Sequence, residues 1–443
     1  MQGSPDGLRR ANRNRWVAIA LAAACFALTI LIFYPGIMTY DAKYVYEDIA
    51  KQTFGDWQSP AMTALWAVID PIAPGSASMF LLIATVYWLA FGALAFTLAA
   101  RSPWNGVVLP LLALLPPAFV FVGVLWRDVL FAVTWLLSAV LAFASAGQPS
   151  RRRVPAQVFA FVLCCLGVLF RPNSIVAAPL LAFYTLWPLK MRWKRAAMLF
   201  VPAIVAFFAF VQLAYYGVLG ATRQHPLQSI MVFDLGGISH FAKQNQFPVT
   251  WNERETALLL NGCYRPTEWD LYWRLDPCKF VMRKLEAEEK LFGTSVITLA
   301  WARAIARHPI AYLEHRAGFM WNFLGGSNLT MWVADIERPT ETVFSERPSF
   351  AALMVVHDIL KPTIAFRAGF WLLACLSICA FAWRRRGTRE GAFSIAVCGS
   401  AVVYVLTFFA VGVASDFRYA YWAVLAAIAG GTVALSPAMP QSG

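Results

Sequence analysis

Charge is what this chain has least of. Asp, Glu, Lys and Arg make up 14% of its 443 residues, against about 25% in an ordinary soluble domain. Hydrophobic residues reach 59% and the mean hydropathy is +0.58. That deficit excludes a soluble globular protein, and the same figures exclude disorder, a collagen-like fibre and a small disulfide-rich secreted domain. Nucleotide signatures are missing too: no Gly-x-x-x-x-Gly-Lys-Ser/Thr occurs, and no Gly-x-Gly-x-x-Gly follows a strand pattern, so neither backbone cradle for phosphates is present. A Gly-x-Ser-x-Gly nucleophile elbow is also absent. No internal repeat stands out, which weakens the case for a transporter built from inverted halves.

What the chain has instead is long apolar runs. A membrane helix needs about 20 mainly apolar residues, and ten segments are expected to qualify: 16–34, 77–100, 105–125, 129–146, 156–170, 174–189, 196–218, 364–383, 391–412 and 420–436. The expected fold class is therefore an all-α polytopic membrane protein of about ten transmembrane helices, with interfacial helices in two large loops. Pro116-Pro117 should kink the third span. Arg171-Pro172-Asn173 should separate the short fifth and sixth as a tight hairpin.

Lys and Arg in short loops set orientation. With the N-terminus inside, one face receives Arg9, Arg10, Arg13, Arg15, Arg101, Arg151, Arg152, Arg153, Lys190, Arg192, Lys194, Arg195, Arg384, Arg385, Arg386 and Arg389, opposed only by Asp6 and Glu390. Those sixteen basic and two acidic residues carry +14. The other 21 of the 37 basic and 22 of the 24 acidic residues sum to −1, so the net +13 is a topology signal and not a nucleic-acid footprint. The expected organisation is a basic cytoplasmic N-terminus (1–15), spans one to seven (16–218) including a periplasmic loop (35–76), a large periplasmic loop (219–363), spans eight to ten (364–436) and a cytoplasmic tail (437–443). The first span lacks a small-residue cleavage site after its apolar run, so it reads as an uncleaved helix. The expected location is a bacterial inner membrane, with both termini cytoplasmic and the chemistry periplasmic.

Six of the eight cysteines lie in apolar spans, as small hydrophobes. Only Cys263 and Cys278 fall in the large outside loop, where an oxidising compartment favours a bridge between them. Neither has the companions of a zinc site.

Ionisable residues beside spans are costly and therefore informative. They gather on one face: Asp41, Glu47, Asp48, Asp56 and Asp70 in the first loop, then Arg127-Asp128, Arg171 and Asp416-Phe417-Arg418-Tyr419. Asp41 follows the helix-ending Tyr34-Pro35-Gly36, and 42–54 has apolar residues at helical spacing, as an interfacial helix would. A carboxylate there can deprotonate an acceptor or simply cap that helix. Guanidiniums at helix ends suit a phosphate headgroup, or can pair with their neighbours, Arg127 with Asp128 and Arg418 with Asp416. The stretch 295–324 reads as two interfacial helices broken at Pro309, with Arg303, Arg307 and His308 on one polar face. His308 and His315 are weak metal candidates, seven residues apart across that Pro.

In order along the chain, these elements resemble the GT-C superfamily of integral-membrane glycosyltransferases, including the protein mannosyltransferases and aminoarabinose transferases. Tyr34-Pro-Gly-Ile-Met-Thr-Tyr-Asp41 resembles the family's first-loop acidic motif, and Gly55-Asp-Trp-Gln-Ser-Pro60 is similar to its His-Pro-Pro element, with Gln58 in place of His. Trp126-Arg-Asp128, Arg171-Pro-Asn173, Arg307-His-Pro-Ile-Ala-Tyr-Leu313 and Asp416-Phe-Arg-Tyr419 resemble later family elements. The resemblance implies a polyprenyl-phosphate-linked sugar as donor, a glycan, lipid or protein as acceptor, and membrane lipid as surroundings. It implies Asp41 as base toward the acceptor and Arg127, Arg171 and Arg418 as ligands of the leaving phosphate. Tyr40, Asp56, Gln58, Asp128, Asn173, Asp416 and Tyr419 would orient these groups or touch sugar hydroxyls. No metal ligand set is assigned, since some family members use a divalent metal and others do not. The alternatives are an O-antigen-type polymerase or ligase using a polyprenyl-pyrophosphate substrate and, third, a lipid or solute transporter. Mid-bilayer charges and Gly-broken helices would mark the last.

Overall fold

The computed structural model describes residues 5–189, 192–325 and 348–437. Lys190, residues 326–347 of the second loop and the tail beyond residue 437 lie outside the described residues, as do residues 1–4. Among the described residues the secondary structure is helical, with only three isolated β-bridges.

Helix α1 (Pro5–Phe33) begins well before residue 16, so Arg9 to Arg15 form its first turns and not a separate arm. A short connection leads to α2 (Tyr40–Lys51) and α3 (Pro60–Ile69). Then follow α4 (Ser76–Ala99), α5 (Pro103–Leu112), the short α6 (Pro116–Phe119), α7 (Arg127–Ser145), α8 (Ser150–Phe170), α9 (Ala178–Leu186) and α10 (Trp193–Gln212). The large loop folds as α11 (Leu227–Ala242), α12 (Glu253–Asn261), α13 (Phe280–Met282), α14 (Ser295–Arg307) and α15 (Pro309–Gly325). Helices α16 (Pro348–Leu360), α17 (Ala368–Trp383), α18 (Arg389–Val411) and α19 (Tyr421–Ala434) complete the described chain.

Among the described residues six helices are long and apolar enough to cross a membrane, within α1, α4, α7, α8, α10 with its continuation to Val218, and α18. The chain is a multi-pass membrane protein. The third expected span is two helical pieces bent by 64°, since Pro116 and Pro117 cannot donate to the preceding turn. Three other expected spans are shorter than a crossing helix: α9 has 9 residues, α17 has 16 and α19 has 14. At about 1.5 Å per residue, α9 extends only some 14 Å against a hydrocarbon core of about 30 Å. Helix α19 is apolar on every side. Nearly all its side chains are buried against α18, α17 and α7, and a protein-facing helix is as apolar as a lipid-facing one. Helix α10 is the opposite case, with only 17% of its apolar window buried.

The stretch 295–324 does break where expected. His308 ends α14 and Pro309 starts α15, where a missing N–H costs nothing. Arg303 and Arg307 are exposed while Ile297 and Ala304 are buried, and α14 and α15 both pack on α11. The Cys263 and Cys278 sulfurs are bonded and close a loop beside these helices. Free cysteines elsewhere, such as Cys164 and Cys398, are buried in helices.

Candidate functional site

The connection after α1 builds the site. Gly36 takes φ +103°, a conformation favourable only to glycine, and the chain then pairs with the residues that precede α7. Ile37 N–H donates to Gly123 O at 2.8 Å and Leu125 N–H to Ile37 O at 3.2 Å. This two-rung bridge brings the start of α2 beside the start of α7, and so Asp41 beside Arg127. Thr39, not Asp41, caps α2: its hydroxyl accepts from Ala42 N–H, and also from the Trp126 indole N–H at 2.8 Å. The Asp41 carboxylate is thereby released from the capping role and faces the site.

Its partners come from distant parts of the chain. Arg418 Nη1 lies 2.7 Å from Asp41 Oδ2, and Gln58 Nε2 donates to Asp41 Oδ1 at 3.2 Å. Gln58 is held by the turn into α3, where Ser59 caps the helix and its hydroxyl donates to Leu169 O at 3.0 Å. Arg418 also meets Asp416 Oδ2 at 3.2 Å through Nε, and its own N–H bonds to Asp416 Oδ1 at 3.0 Å. The guanidinium lies 4.5 Å over the Trp126 ring and 5.1 Å over that of Tyr419, geometry that adds cation–π attraction.

Behind this pair sits a second. Arg171 Nε and Asp128 Oδ1 are 2.9 Å apart with both side chains 5% exposed, and Tyr404 OH stands 3.4 Å from the same nitrogen. Asp128 therefore pairs with Arg171 across 43 positions and not with its neighbour Arg127. Arg127 makes no ion pair within 4.0 Å among the described residues; Nη1 donates to Trp57 O at 3.1 Å. With five N–H donors to a guanidinium, Arg127 keeps most of its donor capacity. It lines a small cleft with Asp41, Gln58, Trp126 and Asp128, together with the apolar side chains of Val45 and Met62.

Three carboxylates (Asp41, Asp128, Asp416) and three guanidiniums (Arg127, Arg171, Arg418) thus form one charge-balanced cluster at one end of the bundle. The expected supporting residues divide. Gln58, Asp128, Asp416 and Tyr419 join it. Asp56 serves elsewhere, accepting from Tyr216 OH at 2.6 Å and Gln224 N–H at 2.5 Å, which ties the first loop to the chain after α10. Tyr40 is 52% exposed and Asn173 is half-buried, and neither side chain makes a hydrogen bond to the cluster among the described residues. His315 is not a metal candidate but a buried partner of Asp234 at 3.2 Å. Sequence reasoning missed Thr39, Trp57, Trp126 and Tyr404. The aromatic residues flanking the charged motifs were the available signal.

Electrostatics separate the carboxyls. Burial raises the pKa of Asp41, but Arg418 and Arg127 outweigh it, and the net shift is downward. Burial dominates at Asp416 and pushes it up from 3.8 to about 6 despite Arg418. A carboxyl raised in the folded state stabilises fully below its unfolded pKa, and that contribution is lost as pH rises through the folded value. Wild-type stability relative to Asp416→Asn should therefore decline between about pH 4 and pH 6. Asp41 acts in the opposite sense, its contribution present above about pH 4 and lost below. Denaturation midpoints of wild type and Asp416→Asn across that range test this, and parallel curves would refute it.

Among the described residues no group of three His, Cys, Asp or Glu side chains is placed to hold a metal ion. The three cluster carboxylates are each engaged by a guanidinium, so these residues do not fit a metal centre as arranged.

No protein-family model matches the chain, and no curated protein does. Among solved structures it is similar to the Archaeoglobus fulgidus oligosaccharyltransferase tethered with an acceptor peptide containing the NVT sequon, at 11% identity and TM-score 0.38, covering 94% of this chain and 49% of that one. The apo form of the same enzyme gives 11% identity and TM-score 0.37 over 94% of this chain and 50% of that one. The chain spans about half the length of that enzyme.

Proposed function

We propose that this protein is a membrane glycosyltransferase that moves a sugar from a polyprenyl-phosphate donor to a glycan, lipid or protein acceptor at the periplasmic face of a bacterial inner membrane. The observation that carries the reading is the Asp41 carboxylate, bound by Arg418 at 2.7 Å and opening on the same cleft as Arg127. A base and phosphate-binding cations are what the reaction needs side by side. Asp41, kept ionised by its cationic neighbours, takes the acceptor's proton as the acceptor oxygen or nitrogen bonds to the anomeric carbon. The bond from that carbon to the phosphate oxygen breaks on the opposite side, and its electron pair stays on the phosphate. Arg127 meets the charge that develops there, and Arg418 links base and phosphate sites. Arg171 acts at one remove, neutralising Asp128 so that Asp128 does not repel the donor.

The test is transfer from a radiolabelled polyprenyl-phosphate sugar in proteoliposomes of purified protein. Glycosylated product with wild type and a strongly reduced yield with Asp41→Asn is the expected result. Substrate translocation without covalent product would sink the reading in favour of transport. Arg127→Ala should raise the KM for donor about 10- to 100-fold, the worth of one charged hydrogen bond of about 1.5–3 kcal/mol. The melting temperature should fall less than on loss of Arg171, because Arg127 makes no ion pair within 4.0 Å among the described residues and its hydrogen bond is to Trp57 O. A variant with unchanged KM would remove Arg127 from the donor site.

A further inference from the structure

The segment that carries Asp416 and Arg418 is gripped by the large loop almost residue by residue. Arg316 Nη1 donates to Gly412 O at 2.7 Å, while Nη2 of the same guanidinium lies 2.6 Å from Asp234 Oδ1. Asp234 takes the Trp301 indole N–H at 2.7 Å and has His315 Nε2 at 3.2 Å. Both Asp234 and Arg316 side chains are fully buried. Gly412 fits because a Cβ there would collide with the Phe319 ring. The next residues pair with the loop closed by Cys263–Cys278: Trp269 N–H donates to Val413 O at 2.9 Å, Ser415 N–H donates to Thr267 O at 2.7 Å, and Glu268 bridges antiparallel to Ala414. Trp269 in turn packs against Trp57 at 5.9 Å, whose carbonyl holds Arg127. Only Asp416 and Phe417 then separate the gripped backbone from Arg418, and Phe417 is buried against Phe121 and Phe366.

A fully buried ion pair is a poor way to gain stability alone, because desolvation offsets its attraction. It does give direction: one planar fork, anchored on Asp234, holds a single backbone carbonyl in place. We infer that Asp234 and Arg316, together with the disulfide-closed loop 263–278, are positioning elements that set Arg418 against Asp41. The consequence for sugar transfer rests on the function proposed above, whereas the positioning itself can be read without substrate.

Arg316→Lys keeps the charge opposite Asp234 but cannot reproduce the fork. Amide exchange followed by mass spectrometry should then quicken about tenfold at Ser415 and Trp269, with α7 and α19 unchanged, as for a local opening. Phenylglyoxal should modify Arg418 faster in the same variant. If Arg316→Lys does not fold, Cys263→Ser/Cys278→Ser loosens the strap from its other side and should give both changes. Wild-type exchange at Ser415, or wild-type labelling of Arg418, in a folded variant overturns the inference. These readouts need no donor or acceptor, so they can succeed even where the transfer assay fails.

Discussion

Asp41→Asn should lower sugar transfer by about 10²- to 10⁴-fold, the usual worth of a positioned general base, while the protein stays folded. The asparagine fills the same space and can still accept from Gln58, so geometry survives and basicity does not. Arg418 keeps Asp416 at 3.2 Å and its place over Trp126, so it is not stranded. The Asp41 side chain is 34% exposed, and solvent screening limits the stability cost of the lost pair to about 1 kcal/mol. Full transfer by Asp41→Asn in the proteoliposome assay would remove Asp41 from the base role. A variant that loses activity only through unfolding would show a collapsed denaturation midpoint instead.

A large stability effect should come from Arg171→Met. Its removal leaves Asp128 without its 2.9 Å partner at 5% exposure, and stranding one member of a buried pair costs about 3–5 kcal/mol. The cation–π contact to Tyr419 at 4.9 Å goes too. The double variant Arg171→Met/Asp128→Leu should recover most of that loss, because no uncompensated charge remains. Denaturation of the single and double variants in detergent separates the two outcomes. A single variant as stable as wild type would mean that Asp128 finds another cation, with Arg127 the nearest candidate. Transfer should recover in the double variant if Arg171 serves to neutralise Asp128, and should fail in both variants if Arg171 itself holds the phosphate.

Local sequence specifies some of these features and leaves others to packing, residue by residue. The bend at Pro116-Pro117 and the break at Pro309 were legible, because proline's missing N–H acts on its own turn. The ends of α9, α17 and α19 were not: apolar runs continue past them, and helix length depends on what the flanking chain packs against. Residue type does not single out Thr39 as the cap of α2, because Asp41 is an equally good capping residue. The bridge of Ile37 to Val124 decided between them. Asp56, which belongs to a family-like element, proved to be an anchor for Tyr216 and Gln224. Nothing in its local sequence distinguishes that role from sugar binding.

By itself the sequence determined that this chain lives in a membrane and that its charges sit at helix ends, since transfer free energy is a sum over neighbouring residues. It also singled out Asp41, Arg127, Arg171 and Arg418 as types suited to a phosphate and a proton. Tertiary structure alone decided the pairings. Arg418 reaches Asp41 across 377 positions, and Asp128 takes Arg171 in preference to the adjacent Arg127. These long-range pairs form because packed helices bring side chains from distant positions together in a site shielded from water, and no local rule specifies that approach.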